Sequence, residues 1–128
     1  MTMILRAAVT GVLLVLALPA FAQEADSEAF FPQQMNARQL LLQCSSSSMT
    51  ASGRERQRYC DGFISGIEES LRLAAPLHAK QLICAPEGVR AKQLSRAFIS
   101  FANSHQADLV KPAAAVVVDA LSSTYPCP

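Results

Sequence analysis

The sequence predicts a small all-α domain, a bundle of about four helices stapled by two disulfides. Apolar residues recur at helical spacing in four segments, and no segment alternates convincingly over the length of a strand. Four cysteines, an even number, lie downstream of what reads as an export signal. The 128 residues suffice for one ordinary core and not for two.

Residues 1–22 read as a secretory signal peptide. Arg6 closes a short basic start, and Ala7 to Leu18 is a 12-residue apolar stretch. Pro19 breaks it, and Ala20-Phe21-Ala22 is a small-x-small cleavage site. Twelve residues fall short of the roughly 20 that a bilayer span needs. This places the mature chain in the periplasm, with no membrane attachment after cleavage. Residues 23–33 form a polar, acidic, flexible lead-in ending in Phe30-Phe31-Pro32, whose aromatics are expected to dock on the core. Residues 34–128 form the helical domain.

Cys44, Cys60, Cys84 and Cys127 allow three pairings. The preferred one joins Cys44 to Cys60 and Cys84 to Cys127, positions 16 and 43 apart. Chain entropy then contributes roughly 3 and 4 kcal/mol. Spacing does not prove this pairing. A zinc site drawing on His78 or His105 is the other reading. It is disfavoured because no two cysteines show C-x-x-C spacing.

The first helix is expected over 34–45, with Ala37, Leu40, Leu41 and Cys44 facing inward, and a polar loop follows from Ser45 to Gly53. The second is expected from about Arg54 to Leu73, with Ser52 as N-cap. Its apolar face is Cys60, Phe63, Ile64, Ile67 and Leu71. Gly62 and Gly66 each cost about 1 kcal/mol in a helix interior, so their i, i+4 spacing predicts a closely packed neighbouring helix, either of the same chain or of a dimer partner. The third helix is expected to open in Cys84–Val89, with Pro86 in its first turn and Glu87 against its positive end. It runs to about Ser104, with Leu94, Phe98, Phe101 and Ala102 inward. Asn103–Gln106 is a turn. The fourth helix is expected over 113–123, with Ala114, Val117, Val118 and Leu121 inward; its three consecutive valines would suit a strand, but the alanines around them and Leu121 outweigh that.

The formal net charge is +1, and the mature chain, with 10 basic and 10 acidic side chains, is neutral. Neither nucleic acid nor an anionic membrane is an expected partner. There is no P-loop, no G-x-G-x-x-G, no H-E-x-x-H and no G-x-S-x-G. Asp61, Glu68 and Glu69 read as helix-surface carboxylates with no second acid–base group. No cofactor or metal is expected, and a binding protein is favoured over an enzyme.

Tyr59-Cys60-Asp61-Gly62-Phe63-Ile64-Ser65-Gly66 resembles the Y-C-x-G-[aromatic]-[aliphatic]-x-G stretch of the Tai family, the amidase immunity proteins of bacterial type VI secretion. Cys84-x-Pro86-x-Gly88-Val89 with Gln93-Leu94 is similar to that family's second block, and Ala120-Leu121 with Tyr125-Pro126-Cys127-Pro128 to its ending. The resemblance spans about Ala37 to Pro128. It implies an all-helical fold, intrachain disulfides and often a homodimer. It also implies a periplasmic protein that binds a peptidoglycan amidase effector and occludes its substrate cleft. The matched cysteines, Tyr59, Gly62, Gly66, Pro86, Gly88 and Pro126 would carry the scaffold, with the aromatics buried, and not partner specificity.

Partner contacts are therefore expected in polar connections held by the scaffold. Ser104, His105 and Gln106 form one such place and the Ser45–Gly53 loop another. The alternative function is a periplasmic chaperone of the acid-stress type, or an envelope adaptor, with no toxin partner.

Overall fold

The computed structural model describes residues 34–75 and 81–128. The signal peptide, the lead-in and His78 lie outside the described residues. Four helices follow in order: α1 (Ala37–Cys44), α2 (Ala51–Ala74), α3 (Ala91–Ser104) and α4 (Ala113–Thr124), with a 3-10 turn, Gln106–Val110, between the last two. The described residues contain no strand, only one isolated bridge between Asn36 and Pro112.

Local capping chemistry moves three of the helix starts. α1 begins at Ala37 because Asn36 Oδ1 accepts from the Gln39 backbone N–H at 2.9 Å, while Gln39 Oε1 accepts from Asn36 N–H at 3.0 Å. α2 begins three residues earlier than expected and is capped by Thr50, not Ser52. Thr50 Oγ1 accepts from Gly53 N–H at 3.0 Å, and Ser52 lies within the first turn. The largest correction is at α3, which opens at Ala91 and not in Cys84–Val89. Gly88 takes φ +77°, a left-handed conformation that interrupts any helix, and Val89 N–H donates to the Pro86 carbonyl to close a turn. Pro86 and Glu87 thus belong to a turn ahead of the helix.

The core is one cluster. Phe98, Leu40, Ile64, Leu94, Leu109, Leu121, Val116 and Val117 are fully buried at its centre. Removing each such side chain from water contributes about 1.5–3 kcal/mol before chain entropy is charged. In α4 the inward residues are Ala113, Val116, Val117, Ala120 and Leu121. Ala114 is exposed and Val118 only half-buried, so the expected face is rotated by about one residue. Pro112 stands at the helix boundary, and Val116 and Ala120 belong to the same buried cluster as Leu40 and Phe98.

Two sets of bonds tie the ends together. Ala37 N–H donates to the Lys111 carbonyl at 3.0 Å and Ala113 N–H to the Met35 carbonyl at 2.8 Å, so α1 and α4 begin side by side. Cys84 N–H donates to the Tyr125 carbonyl at 2.9 Å, fastening the chain's end to the segment that leads into α3. Both disulfides have the preferred pairing, Cys44–Cys60 and Cys84–Cys127. Cys44 and Cys60 are buried in the core, whereas Cys84 and Cys127 are half-exposed.

Candidate partner-binding surface

The polar corner after α3 is built by side chains that close the helix's own last carbonyls. Ser104 Oγ donates to the carbonyls of Phe101 and Ser100, at 2.9 and 3.2 Å. Gln106 Nε2 reaches the carbonyls of Ala102 and Asn103, at 3.3 and 3.2 Å. His105 lies flat on Phe101, with ring centroids 3.8 Å apart, and its Nδ1 is 2.9 Å from the Phe101 carbonyl. A carbonyl only accepts, so that nitrogen carries the proton and Nε2 is left free. All three residues are exposed. The corner therefore offers a hydroxyl, an imidazole and an amide on a backbone already fixed, which lowers the ordering cost of binding. In the following turn Asp108 Oδ1 accepts from Lys111 Nζ at 2.7 Å and holds the Lys111 amine above its ordinary pKa.

The Ser45–Gly53 connection is equally fixed. Gln57 Nε2 donates to the Ser46 carbonyl at 2.6 Å and Arg54 Nη1 to the Ser48 carbonyl at 3.1 Å. Of the three arginines at this end of α2, Arg54 is thus committed to the loop. Met49 stands 86% exposed on it. Gly53 is the residue that sequence reasoning missed: a Cβ there would lie 1.8 Å from the Ser47 carbonyl oxygen, so only glycine lets the loop fold back onto the first turn of α2. Its position three after Thr50 was the available signal.

Tyr59, Gly62 and Gly66 all point away from the bundle. A Cβ at either glycine meets nothing within 4 Å, so among the described residues no helix packs there. Of the two sources the spacing left open, the same chain or a dimer partner, the described residues do not supply the close neighbour. Tyr59 is 51% exposed, which also corrects the expectation of a buried aromatic, and stacks on half-buried Phe63 at 6.3 Å. Gly88 and Pro86 shape the turn before α3, and Pro126 lies beside the Cys84–Cys127 bond.

Inside, Ser95 Oγ donates to Asp61 Oδ1 at 2.6 Å and sits 3.6 Å from Cys60 Sγ. The sulfur is in a disulfide and has no proton, so the hydroxyl bridges α3 to Asp61 and packs on the bond. Asp61 therefore joins two helices and is not a free surface carboxylate. Glu68, only 7% exposed, accepts from Arg72 Nε at 3.2 Å one turn on, so it too is not a surface carboxylate. Both are interior ties of α2 that a helical wheel does not distinguish from solvated acids. Among the described residues no three His, Cys, Asp or Glu side chains are grouped to hold a metal ion, and no helix is long and apolar enough to cross a membrane.

Fold and surface define a disulfide-stapled helical domain with fixed, exposed polar connections. A family model described as Rap1a immunity proteins matches residues 36–127. The chain belongs to the Rap1a immunity protein family. No curated protein and no solved structure matches it.

Proposed function

We propose that the chain is a periplasmic immunity protein of type VI secretion, delivered by a cleaved signal peptide, that binds a peptidoglycan amidase effector of the kind the Tai family neutralises. The observation that carries this is the immunity-family match across both disulfides and all four helices. Inhibition is by occlusion: a rigid exposed corner enters the effector's cleft and excludes substrate. The Ser104–His105–Gln106 corner suits that role, because its side chains spend their inner hydrogen bonds on α3 and keep their outer edges free. The test is to mix the oxidised chain with a cognate amidase effector. A stoichiometric complex with the amidase silenced supports the reading, and an uninhibited amidase rejects it.

The same reading includes a homodimer through the outer face of α2. Gly62 and Gly66 sit mid-helix with open space above them, flanked by exposed Tyr59 and by Leu73, which is 78% exposed. A second helix crossing at the glycines would account for residues that otherwise only cost helix stability. Sedimentation of the wild type beside Gly66→Leu tests this. A dimer that the variant breaks is expected, and a wild-type monomer at high concentration rejects it.

A further inference from the structure

The two disulfides stand in different surroundings. Cys44 and Cys60 are only 6% and 1% exposed, and the Ser95 hydroxyl packs on Cys60 Sγ at 3.6 Å. A solute reaches neither sulfur without opening the core. Cys84 and Cys127 are half-buried. Cys127 lines an open groove of about 290 Å³ together with Gln81, Leu82, Ser122 and Pro126. The lining side chains are uncharged, and Leu82 is 50% exposed.

The two sulfurs of this second bond are not equivalent. The groove is lined by Cys127 and not by Cys84. Cys84 sits in a held segment: its N–H donates to the Tyr125 carbonyl at 2.9 Å, Ile83 before it is in the core, and Ala85 after it packs on the core. Cys127 lies between Pro126 and Pro128, both exposed and both without an N–H to bond. Thiol–disulfide exchange is governed by which sulfur the incoming thiolate can reach and by the departure of the other. Here the reachable sulfur is that of Cys127, and the leaving sulfur is that of Cys84.

We propose that Cys127 is an S-thiolation site, attacked from this groove by small thiolates of the glutathione class. The thiolate sulfur bonds to Cys127 Sγ, and the bond from Cys127 Sγ to Cys84 Sγ breaks. Cys84 leaves with the bonding pair as a thiolate and takes a proton from water. One disulfide is exchanged for another, so no further oxidant or reductant is consumed. Attack by Cys84 on the mixed disulfide reverses the step and expels the small thiol. Ile83 and Tyr125 still pack on the core after the exchange, so the thiolated chain keeps its helices. The modification is thus reversible and leaves the Cys44–Cys60 bond intact.

The test pulses the oxidised chain with reduced glutathione, quenches with N-ethylmaleimide and maps the cysteines by peptide mass spectrometry. Glutathione on Cys127 with maleimide on Cys84 should exceed the reverse arrangement at least about fivefold. Glutathione divided evenly between the two, or found mainly on Cys84, overturns the proposal. So does modification of Cys44 or Cys60 at the rate of Cys127, or loss of the helical circular dichroism in the thiolated chain. Leu82→Glu places a negative charge in the groove wall, at an exposed position outside the core. At low salt it should slow the multiply charged glutathione thiolate at least about twofold, and the singly charged thiolate of mercaptoethanol less. An unchanged glutathione rate in this variant overturns the approach through the groove.

Discussion

His105 is stacked face-on against Phe101, with ring planes 8° apart, and its Nδ1 is bonded to the carbonyl of that same residue. A side chain held at two points by the helix it terminates is a fixed feature of the surface. That rigidity separates two effects of substitution. Replacing Ser104, His105 and Gln106 together with alanine should lower stability by about 1–2 kcal/mol, since the stack and several exposed hydrogen bonds are lost. It should also weaken effector binding by more than that destabilisation explains. His105→Phe keeps the stack and removes the imidazole, so it should preserve stability and still weaken binding. Thermal melting and titration calorimetry on both variants check this; unchanged affinity in both removes the corner from the interface.

The glycines of α2 should respond in opposite ways. Gly53→Ala forces a Cβ into the Ser47 carbonyl and should cost several kcal/mol or displace the loop, as backbone clashes do. Gly62→Ala meets open space and should raise the monomer's stability by about 0.5–1 kcal/mol. Urea unfolding of the two variants under dilute conditions gives the comparison. A destabilising Gly62→Ala would mean that the face is already occupied.

The two disulfides should reduce in order. The half-exposed Cys84–Cys127 bond lies at the end of the chain, and the Cys44–Cys60 bond is buried against Ser95 and the core. Mild reductant followed by alkylation should label Cys84 and Cys127 first, with the helical circular dichroism largely retained. Labelling of all four cysteines at one rate would contradict this.

Ser95 and Asp61 should couple energetically. Ser95→Ala removes the hydroxyl that joins α3 to the Asp61 carboxylate and should cost about 1–3 kcal/mol. Asp61→Ala should cost a similar amount. A double-mutant cycle should show that the two losses do not add, whereas additive losses would mean that the bond contributes nothing.

The helices were legible because they follow from a short-range rule: Cys60, Ile64 and Leu71 repeat at helical spacing. The disulfide pairing was a preference among three, and the fold decides it by bringing Cys44 to Cys60 and Cys84 to Cys127. The start of α3 was not legible, because Pro86 and Glu87 suit a helix's first turn as well as they suit a β-turn. The left-handed Gly88 decides between them, and backbone sign is not written in composition. The roles of Gly53, Asp61 and Glu68 were hidden for another reason. Gly53 depends on a loop folding back and Asp61 on a partner 34 residues away, while Glu68 differs from a solvated acid in its burial, so the sequence pattern shows only the last residue of a loop and two surface acids. At the corner after α3 the sequence marked Asn103–Gln106 as a turn, whereas Asn103 and Ser104 close α3 and Gln106 opens the 3-10 turn, and the side-chain bonds to the carbonyls of α3 emerged only from the fold.

The most direct measurement is amidase activity on peptidoglycan with a cognate effector and increasing amounts of the oxidised chain. Activity should fall linearly to near zero at one chain per effector, and the His105→Phe variant should shift the curve to higher concentration. An amidase that stays fully active beside a folded, disulfide-bonded excess of this protein would contradict the account.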